Sequence, residues 1–188
     1  MRIASSQIDQ RRAVGSAIDT PIPGRLGASA TTSPDYTAFL EQLRRAVYAA
    51  TLLCFVQGLD VLEHENRREA WGVDVRRVLE IWRAGCIIKS DYLSDLLEAS
   101  YADGPDAHPL CRPQIAAELR KHWPALKVVV LEGVKADTHM PCLTASLEYL
   151  KYMGASHLPT CFTEAQLDSF GAHGYDLVSE PVRPLMKG

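Results

Sequence analysis

A chain of 188 residues, 47% hydrophobic and 23% charged, has the length of one ordinary globular domain and enough apolar residues to bury a core. Its formal net charge of -3 offers no global positive field, so nucleic acid and anionic lipid are not expected partners. The longest apolar runs, such as Tyr48 to Val56, fall well short of the roughly 20 residues that span a bilayer, and Met1 to Arg12 has no apolar signal region. The five cysteines (Cys54, Cys86, Cys111, Cys142, Cys161) are odd in number and scattered, which points to reduced thiols and a cytoplasmic chain.

Residues 1–34 are rich in Ser, Thr, Gly, Pro and Ala and read as an arm. Ser33-Pro34-Asp35 then starts a long helix, along which Phe39, Leu40, Leu43, Val47, Ala50, Cys54 and Leu62 recur near helical spacing to about Arg68. Trp71-Gly72 interrupts it. Asp74 is placed to cap a second long helix with an apolar face of Val75, Val78, Leu79, Trp82 and Cys86 running on towards Leu97, ended by Asp103-Gly104-Pro105.

A third helix follows Pro113 with Ile115, Leu119 and Trp123, and a fourth starts near Pro124 with Leu126, Val129, Val130 and Val134. Val128 to Leu131 has strand-forming composition, but no alternating segment is available to pair with it. Met140-Pro141 opens a fifth helix, and Thr163-x-x-Gln166 has the form of a capping box for a short sixth. The expected architecture is all-α: an arm over 1–34, a helical domain over 35–175 and an extended tail over 176–188.

The run Trp82-Arg83-Ala84-Gly85-Cys86-Ile87-Ile88-Lys89-Ser90 resembles W-R-G-G-C-I-I-R-S of the 6-phosphogluconate dehydrogenase family. Phe39-Leu40-Glu41 with Arg44, Ala46, Tyr48-Ala49 and Gln57-Gly58 is similar to that family's F-L-E-D-I-R-K-A-L-Y-A-S and Y-A-Q-G-F. Ala165 to Tyr175 is similar to A-Q-R-D-Y-F-G-A-H-T-Y, Arg11 to Asp19 to K-W-T-V-x-x-A-x-D, and Met140-Pro141-Cys142 to P-x-P-C. The resemblance covers nearly the whole chain and implies the family's helical C-terminal domain and an intertwined homodimer, with an interface above ~2,000 Å².

The resemblance also implies what these 188 residues lack: no G-x-G-x-x-G turn for NADP, and no counterpart of the family's catalytic Lys and Glu. Positions it assigns to the substrate's phosphate carry Arg11, Ala13, Lys89 and Leu167 here. Losing a bidentate Arg to Leu167 removes charge-assisted hydrogen bonds worth roughly 1.5–3 kcal/mol, which disfavours a sugar phosphate and suits a less charged ligand. His173 matches the histidine that the family's tail inserts into the neighbouring subunit's site. His173 and Lys89 are therefore the candidate catalytic residues, and Arg11, Leu167, Arg83 and Phe170 the candidate substrate contacts; Arg83 is equally suited to a structural fork of hydrogen bonds.

No cofactor and no metal are expected. The pairs His108/Cys111, His139/Cys142 and His157/Cys161 each bracket or abut a proline, and zinc would need two of them to converge. Glu63, His64 and Glu65 read as a solvated charge run. The function these expectations favour is a repurposed, cofactor-independent enzyme promoting a redox-neutral cyclisation, isomerisation or cycloaddition of a largely apolar metabolite in a dimer-interface pocket. The alternatives are a dehydrogenase remnant needing a separate Rossmann-bearing chain and a non-catalytic dimer module.

Overall fold

The computed structural model describes residues 8–18, 34–102, 108–155 and 158–171, and among these residues the fold is all-α, with no strand. Its elements are α1 (Ile8–Ala17), α2 (Pro34–Glu69), α3 (Val75–Gly85), α4 (Asp91–Ser100), a short 3-10 turn (Pro109–Cys111), α5 (Pro113–Lys135), α6 (Pro141–Gly154) and α7 (Cys161–Gly171). The arm thus contains a helix, α1, whose side chains are almost all exposed. His157, His173, the Asp103-Gly104-Pro105 turn and the tail over 176–188 lie outside the described residues.

Two compact units divide the chain, Met1–Leu147 and Glu148–Gly188. In the first, α2 packs most extensively on α5, with α4 against α3 and α5. Leu52, Leu53, Val56 and Leu59 of α2 meet a core that also holds Leu79, Leu97, Ile115, Leu126 and Val129, all 1% exposed or less. Phe55 stands edge-on to Trp82 with ring centroids 5.6 Å apart, fastening α3 to α2. The stretch Tyr36–Glu69 is long and apolar enough to cross a membrane, but half of its most apolar window is buried in the protein, as in a core helix.

Helix ends follow local chemistry. α2 closes with Ala70 in the left-handed region (φ 51) and Trp71 N–H bonding Asn66 O at 3.3 Å, a Schellman turn. Asn66 then clips the connection, donating from Nδ2 to Val73 O (3.0 Å) and accepting from Val73 N (2.8 Å). Asp74 caps α3 as expected, its Oδ1 accepting from Arg76 N at 2.9 Å.

The expected second helix is in fact two. It stops at Gly85, and Ser90 restarts it as α4 by accepting from Leu93 N. Conversely, the expected third and fourth helices are one: α5 runs through Pro124, whose missing N–H forfeits one bond of the ladder while packing on α2 keeps both sides aligned. α7 begins at Cys161, ahead of the expected Thr163 cap; Thr160 donates from Oγ1 to Glu164 Oε1 (2.6 Å) and its carbonyl accepts from Glu164 N (2.9 Å).

Candidate functional site

Lys89 sits in the exposed turn between α3 and α4, its N–H bonding Cys86 O at 3.0 Å. Arg83, one turn before the end of α3, is occupied by carboxylates of α4: Asp91 at 3.2 Å, Asp95 at 2.6 Å and Glu98 at 3.8 Å. This fan of ion pairs joins the two helices that Gly85–Lys89 separates. Arg83 is therefore engaged in holding the α3–α4 corner, the fork role open to it from sequence. Arg11 is exposed on α1.

In the second unit, Leu167 and Phe170 lie three residues apart on α7, 53% and 79% exposed. The structure thus places Arg11, Arg83 and Lys89 in the first unit and Leu167 and Phe170 in the second, with His173 outside the described residues. Among the described residues, no three His, Cys, Asp or Glu side chains gather as metal ligands. His108 instead caps the 3-10 turn, its Nδ1 accepting from Leu110 N at 3.1 Å.

The sequence reading missed a cleft of about 480 Å³ in the first unit, between α2, the start of α4 and the middle of α5. At its base, Tyr48 of α2 donates its hydroxyl proton to Glu118 Oε2 of α5 at 2.8 Å. The same oxygen is 3.5 Å from Nε2 of His122, one helical turn on. Tyr48 also stands edge-on to the His122 ring, centroids 4.7 Å apart, and is tilted against Tyr92 at 5.9 Å. Arg45 donates to the Lys121 carbonyl and fixes α2 on α5 beside the cleft.

Burial governs the electrostatics of this cluster. His122 is 7% exposed, and desolvation lowers its pKa against the opposing pull of Glu118, favouring neutral imidazole. Burial first, then the hydrogen bond to Glu118, pushes the Tyr48 phenol up, so it remains protonated. Glu118 and His122 were visible in sequence as an i, i+4 pair, but Tyr48 lies 70 residues from Glu118, and only the α2–α5 packing joins them.

Glu63 corrects the expectation of a solvated charge run. It is 4% exposed, beside Tyr101 and Arg112, and desolvation raises its carboxyl above the usual range. Arg112 stacks over the Tyr101 ring at 3.8 Å and donates from Nη1 to Ser100 O at 2.8 Å.

The model of the family described as "6-phosphogluconate dehydrogenase, C-terminal domain" matches residues 1–185. The chain is 38% identical over 192 residues to "6-phosphogluconate dehydrogenase, decarboxylating" of Emericella nidulans, a match that takes in 100% of this chain and 38% of that protein. It is 34% identical over 140 residues to the protein of the same name from Treponema pallidum, covering 74% of this chain and 28% of the relative. A solved structure of Plasmodium falciparum 6-phosphogluconate dehydrogenase superposes with a TM-score of 0.81 at 22% identity, over 96% of this chain and 38% of that one, which establishes the shared fold. The chain therefore spans well under half the length of these relatives. It belongs to the 6-phosphogluconate dehydrogenase C-terminal domain family.

Proposed function

We propose that this chain is the helical component of a 6-phosphogluconate dehydrogenase-type assembly, self-associating as a homodimer and acting together with nucleotide-binding and acid–base elements that lie outside these residues. The observation that carries this reading is the likeness of the whole chain to 38% of the Emericella nidulans protein, while the family's glycine-rich turn and catalytic Lys and Glu have no counterpart in these residues.

Exposed apolar surface supports it. On α2, Leu40, Val47, Cys54 and Val61 recur at seven-residue intervals, and all four are exposed. Residues so spaced share one face, so an apolar stripe along the longest helix is left for another polypeptide surface to cover. On α5, Val128, Leu131 and Val134 are 42%, 50% and 66% exposed. The cytoplasm is the proposed compartment.

Tagged chain mixed with a 6-phosphogluconate dehydrogenase polypeptide lacking its own C-terminal part should retain it through affinity purification and light scattering. Failure to associate, with both proteins folded, contradicts the reading.

One observation favours a second reading, the cofactor-independent enzyme acting on a largely apolar metabolite. Leu167, where the family motif has Arg, is exposed beside Phe170, and an apolar pair there suits a ligand with less charge than a sugar phosphate. Turnover of such a metabolite by the isolated chain, with no nicotinamide and no second polypeptide, would favour it over the first.

A further inference from the structure

Where the end of α2 meets the end of α4 and the start of α5, the first unit buries a carboxyl group that has no hydrogen bond. Glu63 of α2 is 4% exposed, and both of its carboxyl oxygens are shut off from solvent without a hydrogen-bond partner. Tyr101, the C-cap of α4, stands beside it. Phenol and carboxyl act on each other, yet the buried Tyr101 hydroxyl makes no hydrogen bond either. Arg112, which leads into α5, brings positive charge close by, but its guanidinium is engaged with α4: it lies over the Tyr101 ring at 3.8 Å, and Nη1 donates to Ser100 O at 2.8 Å.

The charges around Glu63 are of both signs. Arg67, one turn further along α2, and Arg112 favour the ionised form, as does the Tyr101 hydroxyl; Asp60, one turn back, opposes it. In the 3-10 turn, His108 Nε2 lies 3.4 Å from that aspartate. Burial outweighs the favourable groups.

A neutral carboxyl shut in this way costs a small number of missing hydrogen bonds, whereas a carboxylate without them carries a much larger desolvation penalty. The closed corner therefore suits the protonated acid. The same residues hold the corner together, since Arg112 reaches back to Ser100 O while its own carbonyl accepts from Ala116 N at 2.9 Å in the first turn of α5. We propose that Glu63 is a proton-operated catch for this corner: the ends of α2, α4 and the start of α5 stay closed over the protonated carboxyl, and open locally to water when that proton is lost. Opening returns the carboxyl to its ordinary 4.5, so the opening equilibrium is level below that value. It then rises by up to about tenfold per pH unit until the closed-corner carboxyl is itself ionised, and is level again above.

The test is amide hydrogen exchange on the full chain from about pH 4 to 8, read as protection factors so that the intrinsic pH dependence of exchange is removed. The Glu63 carboxyl carbon is followed by NMR over the same range. Tyr101, Cys111 and Arg112, whose N–H groups bond Leu97 O, His108 O and Pro109 O at 3.0, 2.8 and 3.2 Å, report on the corner, and the buried Leu53 and Val56 of α2 report on the core. Protection at the three corner amides should fall by up to about tenfold per pH unit in step with the Glu63 titration, with the core amides unchanged. In Glu63→Gln the corner amides should show no such fall. Corner protection that stays constant with pH in the wild type would overturn the proposal, as would an equal fall in Glu63→Gln or a parallel fall at Leu53 and Val56.

Discussion

The Met140 side chain occupies the space a Cβ at Gly133 would need: its terminal methyl lies 1.6 Å, and its sulfur 2.5 Å, from where that atom would stand. The Schellman turn ending α5 brings the two together, with Asp137 left-handed (φ 53) and Thr138 N–H bonding Gly133 O at 2.8 Å. Alanine normally favours a helix interior over glycine by about 1 kcal/mol. Here Gly133→Ala should lose much of that gain, because the flexible end of Met140 must swing aside, so that denaturant unfolding shows a stability within about 1 kcal/mol of wild type. Adding Met140→Ala to that variant should recover part of the loss from the clash, which a double-mutant cycle reads as coupling between the sites. A Gly133→Ala single variant stabilised by the whole of that gain would show that Met140 moves aside without cost.

Tyr48→Phe removes the hydroxyl that spans from α2 to Glu118 at the cleft base, and should cost about 0.5–1.5 kcal/mol of stability. In Glu118→Gln, whose amide still accepts from Tyr48, the loss should be smaller. A Tyr48→Phe variant as stable as wild type would mean that this hydrogen bond only replaces one to water.

Burial holds the Glu63 carboxyl above its ordinary 4.5, while the Tyr101 hydroxyl and the Arg112 guanidinium pull the other way. A raised folded-state value means that the folded protein binds more protons than the unfolded chain over the interval between the two values. Stability from this group is therefore fully present below about 4.5, falls as pH rises through that interval, and is level above it. Glu63→Gln should flatten this slope in urea midpoints measured from about pH 4 to 8. An unchanged slope would assign the pH dependence to other groups.

Arg83 separates a structural role from a substrate role. Its three carboxylate partners are at least a third exposed, so Arg83→Met should lower the urea midpoint only slightly, and the difference from wild type should vanish in high salt. Reconstituted turnover with Arg83→Met should stay close to wild type; a loss of tenfold or more with unchanged stability would return Arg83 to the substrate contacts.

Element existence was legible from the sequence wherever apolar spacing and caps agreed, as at Asp74 and Pro141. The orientation of α2 was less so. Its apolar residues run around the whole helix, and the period through Leu40, Val47 and Cys54 marks a face that is exposed, whereas Ala46, Ala49, Leu53, Val56 and Leu59 are buried. One sequence cannot say which of two apolar faces meets α5. Pro124 marks a boundary by sequence because proline usually ends a helix, but packing on both sides outweighs one lost hydrogen bond. Ser90 split a continuous apolar pattern because its side chain caps α4, a local choice that the pattern does not encode. The Tyr48–Glu118–His122 cluster depends on two helices meeting and was invisible for that reason.

The most direct measurement of the helical-component proposal is reconstituted turnover. This chain would be combined with a 6-phosphogluconate dehydrogenase polypeptide that retains the nucleotide-binding and acid–base elements but lacks its own C-terminal part, and NADPH formation from 6-phosphogluconate followed by absorbance. Turnover that appears only when both polypeptides are present, saturates at a fixed ratio and falls when Leu40 and Val47 on the exposed α2 stripe are changed to Asp is the predicted result. Association of the two folded polypeptides without any NADPH formation, or no association at all, would contradict it.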